Sequence, residues 1–152
     1  MTATIALAFL HHTAAFLVFA ALLTELVLLR NELTVASARS VLRMDAVYGV
    51  AATVLVIVGL LRVFYTEKGA AYYFASGTFL AKLLLFIIVG LMSIYPTMKF
   101  LSWRGALRDQ RVPAVEPATI RTVRKIVHAE LTLIVIILLL PPMMSRGIGF
   151  LG

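Results

Sequence analysis

Two uncharged runs decide the fold: residues 46–61, AVYGVAATVLVIVGLL, and residues 83–98, LLLFIIVGLMSIYPTM. Each is sixteen residues long, the first between Asp45 and Arg62, the second between Lys82 and Lys99. With a flanking turn at each end, both reach the ~20 residues that cross about 30 Å of hydrocarbon. Neither has the polar stripe that a soluble helix turns to water, so both read as membrane spans. The stretch between them, RVFYTEKGAAYYFASGTFLAK at residues 62–82, is short and polar and makes the pair a hairpin. It puts two cations at matching depth, Arg62 near the end of one span and Lys82 about one turn inside the next. Charges within a membrane are costly and face a partner, a cavity or a ligand.

Composition extends this reading to the whole chain. Of 152 residues 62% are hydrophobic and only 14% charged, too apolar for a soluble domain. The expected fold is all-α, an antiparallel four-helix transmembrane bundle. Residues 1–152 form a single four-helix membrane domain, with spans at about 5–29, 45–65, 78–97 and 119–144. The first stretch lacks a basic n-region and runs past the 7–15 apolar residues of a signal peptide, so it reads as a retained helix. Thr78 is expected to cap the third span, Pro96 to bend its last turn, Pro117 to open the fourth and Pro141-Pro142 to mark its end. Residues 31–45, NELTVASARSVLRMD, read as a loop.

The formal charge is +7, but the cations cluster in two loops, which points to membrane orientation rather than to nucleic acid. Ten of the fourteen Lys and Arg residues follow spans one and three: Arg30, Arg39, Arg43, Lys99, Arg104, Arg108, Arg111, Arg121, Arg124 and Lys125. Only Arg62, Lys68, Lys82 and Arg146 fall on the other side. By the positive-inside rule the two basic loops are cytoplasmic and both termini lie outside, in the periplasm if the chain sits in a bacterial inner membrane. The absence of cysteine excludes disulfides, thiolate metal sites and iron–sulfur clusters. There is no Ser/His/acid spacing, no Gly-rich phosphate loop and no HExxH.

Depth arithmetic sorts the polar residues into two layers. His11 and His12 fall level with Arg62 and Lys82 in the outer half, with Lys68 and Tyr65 near the mouth. Glu25, Asp45, His128 and Glu130 fall near the inner surface and are expected to form one polar cluster. His11 and Glu25 are fourteen residues apart, roughly 21 Å along a helix. His11 and His128 therefore occupy different leaflets and cannot ligate one iron. An imidazole beside two cations suits an anionic, metal-bearing cofactor, with iron on His11 or His12 and propionates on Arg62 and Lys82. Adjacent residues point about 100° apart, so one of the two histidines faces the interior; the stripe Ala15, Val18, Leu22 and Glu25 favours His11. The sixth iron position falls to Met143 or Met144 or stays open. The bland alternative is interfacial anchoring, with the cations snorkelling. In the inner layer, salt bridges from Glu25 and Asp45 to cations such as Arg43 or Lys125 are expected, with a proton relay as the alternative.

The motifs HHTAAF at 11–16, DAVYG at 45–49, GLLRVFYTEKGAAYYF at 59–74, AKLLLF at 81–86, GLMSIYPTMKFLSWR at 90–104 and VHAEL at 127–131 resemble an uncharacterised bacterial inner-membrane family, domain of unknown function 2214. That resemblance covers nearly the whole chain and implies no activity. More distantly, a His early in one span and a Lys early in a later one, here His11 or His12 and Lys82, are similar to HemJ-type protoporphyrinogen oxidases and copper-resistance D proteins. The likeness implies haem b, with redox electron transfer or haem and porphyrin handling as the function. An enzymatic role would be that of a haem-dependent membrane oxidoreductase, and a quinone or redox protein would be its partner beside the lipid bilayer. The competing classes are a small proton-coupled transporter and a non-catalytic membrane subunit. Four short spans enclose little volume, which makes a homodimer plausible.

Overall fold

The computed structural model describes residues 2–65 and 69–149. Within them six helices follow in order: α1 (Thr2–Leu28), α2 (Val35–Tyr65), α3 (Gly69–Phe74), α4 (Gly77–Ser102), α5 (Arg104–Arg108) and α6 (Pro117–Ser145). Four of them, α1, α2, α4 with its α5 extension and α6, are long and apolar enough to cross a membrane. Large apolar side chains point outward along all four, among them Phe9 (71% exposed) and Phe16 (69%) on α1 and Leu91 (64%) on α4. In water such surfaces would be untenable; against acyl chains they cost nothing.

The helices close a ring. α1 lies along α2, α4 lies along α6, and α1 also meets α6 while α2 meets α4 more sparsely. The start of α1 and the end of α6 lie at one end, the terminal side, opposite the loop side. A backbone bond from Gly77 N to Gly149 O (2.8 Å) ties the start of α4 to the residues after α6. Gly149 has φ +80°, and a Cβ there would stand 3.1 Å from the Thr78 methyl carbon, so a larger residue would clash as well as strain the backbone. The densest packing lies on the loop side, where Leu22, Leu29, Val41, Phe100, Trp103, Val123 and Val127 are buried together. Phe100 and Trp103 meet edge to face with centroids 5.1 Å apart.

Several boundaries differ from the sequence expectation, each for a local reason. α2 begins at Val35, ten residues earlier than expected. Thr34 and Ser37 cap it reciprocally: Thr34 N donates to Ser37 Oγ (2.8 Å) and Ser37 N to Thr34 Oγ1 (3.1 Å). From there Ala38, Val41, Asp45 and Tyr48 line one buried face at helical spacing, while Arg43 points away. The charges of this stretch conceal a helix whose first turns lie in the headgroup zone. Arg39 reaches across to Leu107 O and Gln110 Oε1, both at 3.3 Å, helping to close the end of α5.

The cap of α4 is Ser76, not Thr78: Phe79 N donates to Ser76 Oγ, while Thr78 bonds Ser76 and Ile148 O. Pro96 sits buried inside α4. Pro117 opens α6, where its missing N–H is no loss. The helix does not stop at Pro141-Pro142 but continues to Ser145, and Gly147 at φ +73° turns the chain out of it. Two prolines remove two ladder donors near the end of a helix, which lipid-side packing tolerates better than mid-helix loss.

Candidate functional site

On the terminal side, His11, Arg62 and Lys82 converge although they come from α1, α2 and α4. His11 lies within electrostatic range of Lys82, Arg62 and His12, and Lys82 within range of Arg62. The helix register explains why His11 can reach inward. Gly59 on α2 faces it, and a Cβ at that position would stand 3.4 Å from His11 Cε1. That is ordinary contact distance, so the His11 ring packs closely against α2 at Gly59. His11 Nδ1 and Arg62 Nε are buried without a hydrogen-bond partner. Among the described residues the single ion pair joins Arg111 to Asp109, so no described carboxylate neutralises this cluster.

His12 points elsewhere. It is exposed, meets His11 edge to face at 6.1 Å, and its Nδ1 bonds the Ala8 carbonyl of its own helix at 2.6 Å. Met143 and Met144 stand at the end of α6, beside the start of α4 and thus at the same end of the bundle as the basic cluster. Tyr65 is exposed at the end of α2. Lys68 lies outside the described residues.

On the loop side the structure gathers Glu25 from α1, Asp45 and Tyr48 from α2 and Glu130 from α6. Glu130 is 0% exposed and Glu25 1%; both oxygens of Glu130 and Oε1 of Glu25 have no hydrogen-bond partner. Asp45 Oδ1 accepts the Thr97 hydroxyl at 2.6 Å, and Tyr48 lies near Ser93, whose own hydroxyl donates to Gly90 O at 2.8 Å. Arg104 acts on Asp45 only at a distance. The salt bridges expected from Glu25 and Asp45 to Arg43 or Lys125 are not made: Arg43 and Lys125 lie exposed on the outer faces of their helices. The four-residue inner cluster also needs correction, because His128 is not part of it. His128 is exposed, and two residues along a helix turn it about 200° from Glu130.

Sequence reasoning missed Thr97, Ser93, Tyr48 and Gly59 as members of these sites. Tyr48 was legible as the next buried position after Asp45. The others depend on which helix lies opposite. Among the described residues no three His, Asp or Glu side chains converge closely enough to hold a metal ion.

The two polar layers inside four lipid-facing helices define the class: an all-α integral membrane protein. Its particular family follows from comparison with known proteins. Residues 3–149 match the family described as a predicted membrane protein, DUF2214, and the chain belongs to it. No curated protein and no solved structure matches the chain.

Proposed function

We propose that the chain is a b-type haem membrane protein, redox or haem-handling, with its cofactor in the half that holds the termini. One observation carries this reading: a buried, unpartnered imidazole nitrogen of His11 beside two cations with no described counter-charge. A haem presents the complementary set, an iron that takes an imidazole nitrogen and two propionates that take cations. The donor set therefore fits the group. The distant resemblance to HemJ-type oxidases and copper-resistance D proteins supports the same cofactor.

In this reading His11 would hold the iron, its ring packed against α2 at Gly59. Arg62 and Lys82 would take the propionates, each through charge-assisted hydrogen bonds worth about 1.5–3 kcal/mol. Met143 or Met144 would be the second side chain offered to the iron. When bound, haem supplies one-electron chemistry or a binding position for a small ligand. The charge asymmetry supports a bacterial inner-membrane location with the basic loops cytoplasmic and both termini periplasmic.

The test is an optical spectrum of the purified chain reconstituted with haem. Wild type, His12→Ala and His128→Ala should show a Soret band, and His11→Ala should lose it. Arg62→Ala and Lys82→Ala should each weaken haem binding roughly tenfold to hundredfold, the equivalent of one charge-assisted bond. A colourless wild type in excess haem would overturn the reading, as would loss of colour in His128→Ala alone.

A further inference from the structure

We propose that the carboxyl cluster on the loop side is a proton-binding site, in which Glu25, Asp45 and Glu130 hold dissociable protons drawn from the adjacent aqueous surface. The cluster is more than three acids near one another. A polar strip of Asp45, Thr97, Tyr48 and Ser93 lies between α2 and α4, with Thr97 donating to Asp45 across it. Into it, from α1 and α6, come two fully enclosed carboxyl groups with unpartnered oxygens, Glu25 and Glu130. Electrostatic coupling links Glu25 to both Asp45 and Glu130, and Glu130 to Asp45.

Buried carboxylates without donors are not tolerated as bare anions; something must balance the charge and fill the lone pairs. Three species could. A Lys or Arg partner is ruled out among the described residues, where the single ion pair lies at Arg111–Asp109. A metal ion needs ligands that converge, and among the described residues no such group exists. A proton meets both needs at once, since it neutralises one oxygen and makes an O–H donor for a neighbour. The groups facing the site are Glu25 from α1, Asp45 and Tyr48 from α2, Ser93 and Thr97 from α4, Glu130 from α6, and Arg104 of α5 at longer range. The three carboxyls are thus the groups of the site that take up and release protons, the Tyr48 phenol being a far weaker acid.

The place in the fold supplies the route. Asp45 lies two residues beyond Arg43, Glu130 five beyond Lys125, and Glu25 five before Arg30. At about 1.5 Å per residue, all three stand within about 8 Å of the cation layer at the loop-side surface. The step is acid–base only: hydronium gives its proton to a carboxylate and leaves as water. It does not depend on the cofactor at the other end of the bundle.

The test is infrared difference spectroscopy on the full, haem-free chain in phosphatidylcholine nanodiscs, titrated with pH in H2O and D2O. At neutral pH a protonated-carboxyl carbonyl band should be present and should shift in D2O. Glu130→Gln and Glu25→Gln should each remove a component of it, with helix content by circular dichroism unchanged. Absence of the band from wild type at neutral pH would overturn the proposal without recourse to any variant. So would a band untouched by both substitutions, or one abolished by adding sodium or calcium ions, which would mark a metal-cation site instead.

Discussion

Thr97 donates its hydroxyl to Asp45 at 2.6 Å, a direct link between α2 and α4 in the carboxyl cluster. Removing the hydroxyl while keeping the shape isolates that link. Thr97→Val leaves a buried carboxyl oxygen without its donor and should cost about 1–3 kcal/mol of stability. Thr97→Ser keeps the donor and should recover most of the loss. Thermal unfolding in mild detergent measures both, and equal behaviour of the two variants would show that the hydroxyl contributes nothing. At the opposite end the His11 ring packs against α2 at Gly59, where an added Cβ would stand at ordinary contact distance, 3.4 Å from Cε1.

Helix ends carry the next level of organisation. α2 starts early because Thr34 and Ser37 satisfy each other's backbone donors, which outweighs the charge of the residues that follow. α4 starts at Ser76, a buried cap that also holds Thr78, which in turn bonds the chain after α6 at Ile148. This cap is joined to a second element, so its loss should be felt at both. Ser76→Ala should lower stability by roughly 0.5–2 kcal/mol. It should also speed amide exchange at Gly77, whose N–H is held by Gly149. Slow exchange at Gly77 in that variant would mean that the backbone tie stands without the cap.

For the molecule as a whole, the uneven packing is the main physical fact. The loop side holds the aromatic and aliphatic core, where Val41, Phe100, Trp103 and Val123 are buried together. The basic cluster lies toward the other end of the same helices. Orientation across the bilayer is a whole-molecule property with its own test. The natural chain has no cysteine, so single-cysteine variants report cleanly. Thr2→Cys and Ser145→Cys should react with an impermeant thiol reagent in intact cells, and Asn31→Cys and Ala114→Cys only after permeabilisation. The reverse pattern would place the basic loops outside.

The sequence by itself determined the number of spans, the hairpin order and the heights of the polar residues along their helices. Depth runs along the helix axis, and a fixed rise per residue turns residue number directly into height. That is why the two layers, His11 with Arg62 and Lys82, and Glu25 with Asp45 and Glu130, could be read from spacing. Azimuth was another matter. A helix that is apolar all round has no hydrophobic side to orient it, so only its neighbours decide which residues turn inward. Packing α1 on α2 turned His11 toward Gly59 and left His12 outside. Packing α6 on α4 and α1 enclosed Glu130 and turned His128 to the exterior. The expected salt bridges failed for the same reason: the loop-side cations share the depth of the acids but point outward from the bundle, where headgroups and water solvate them better than a buried carboxylate could.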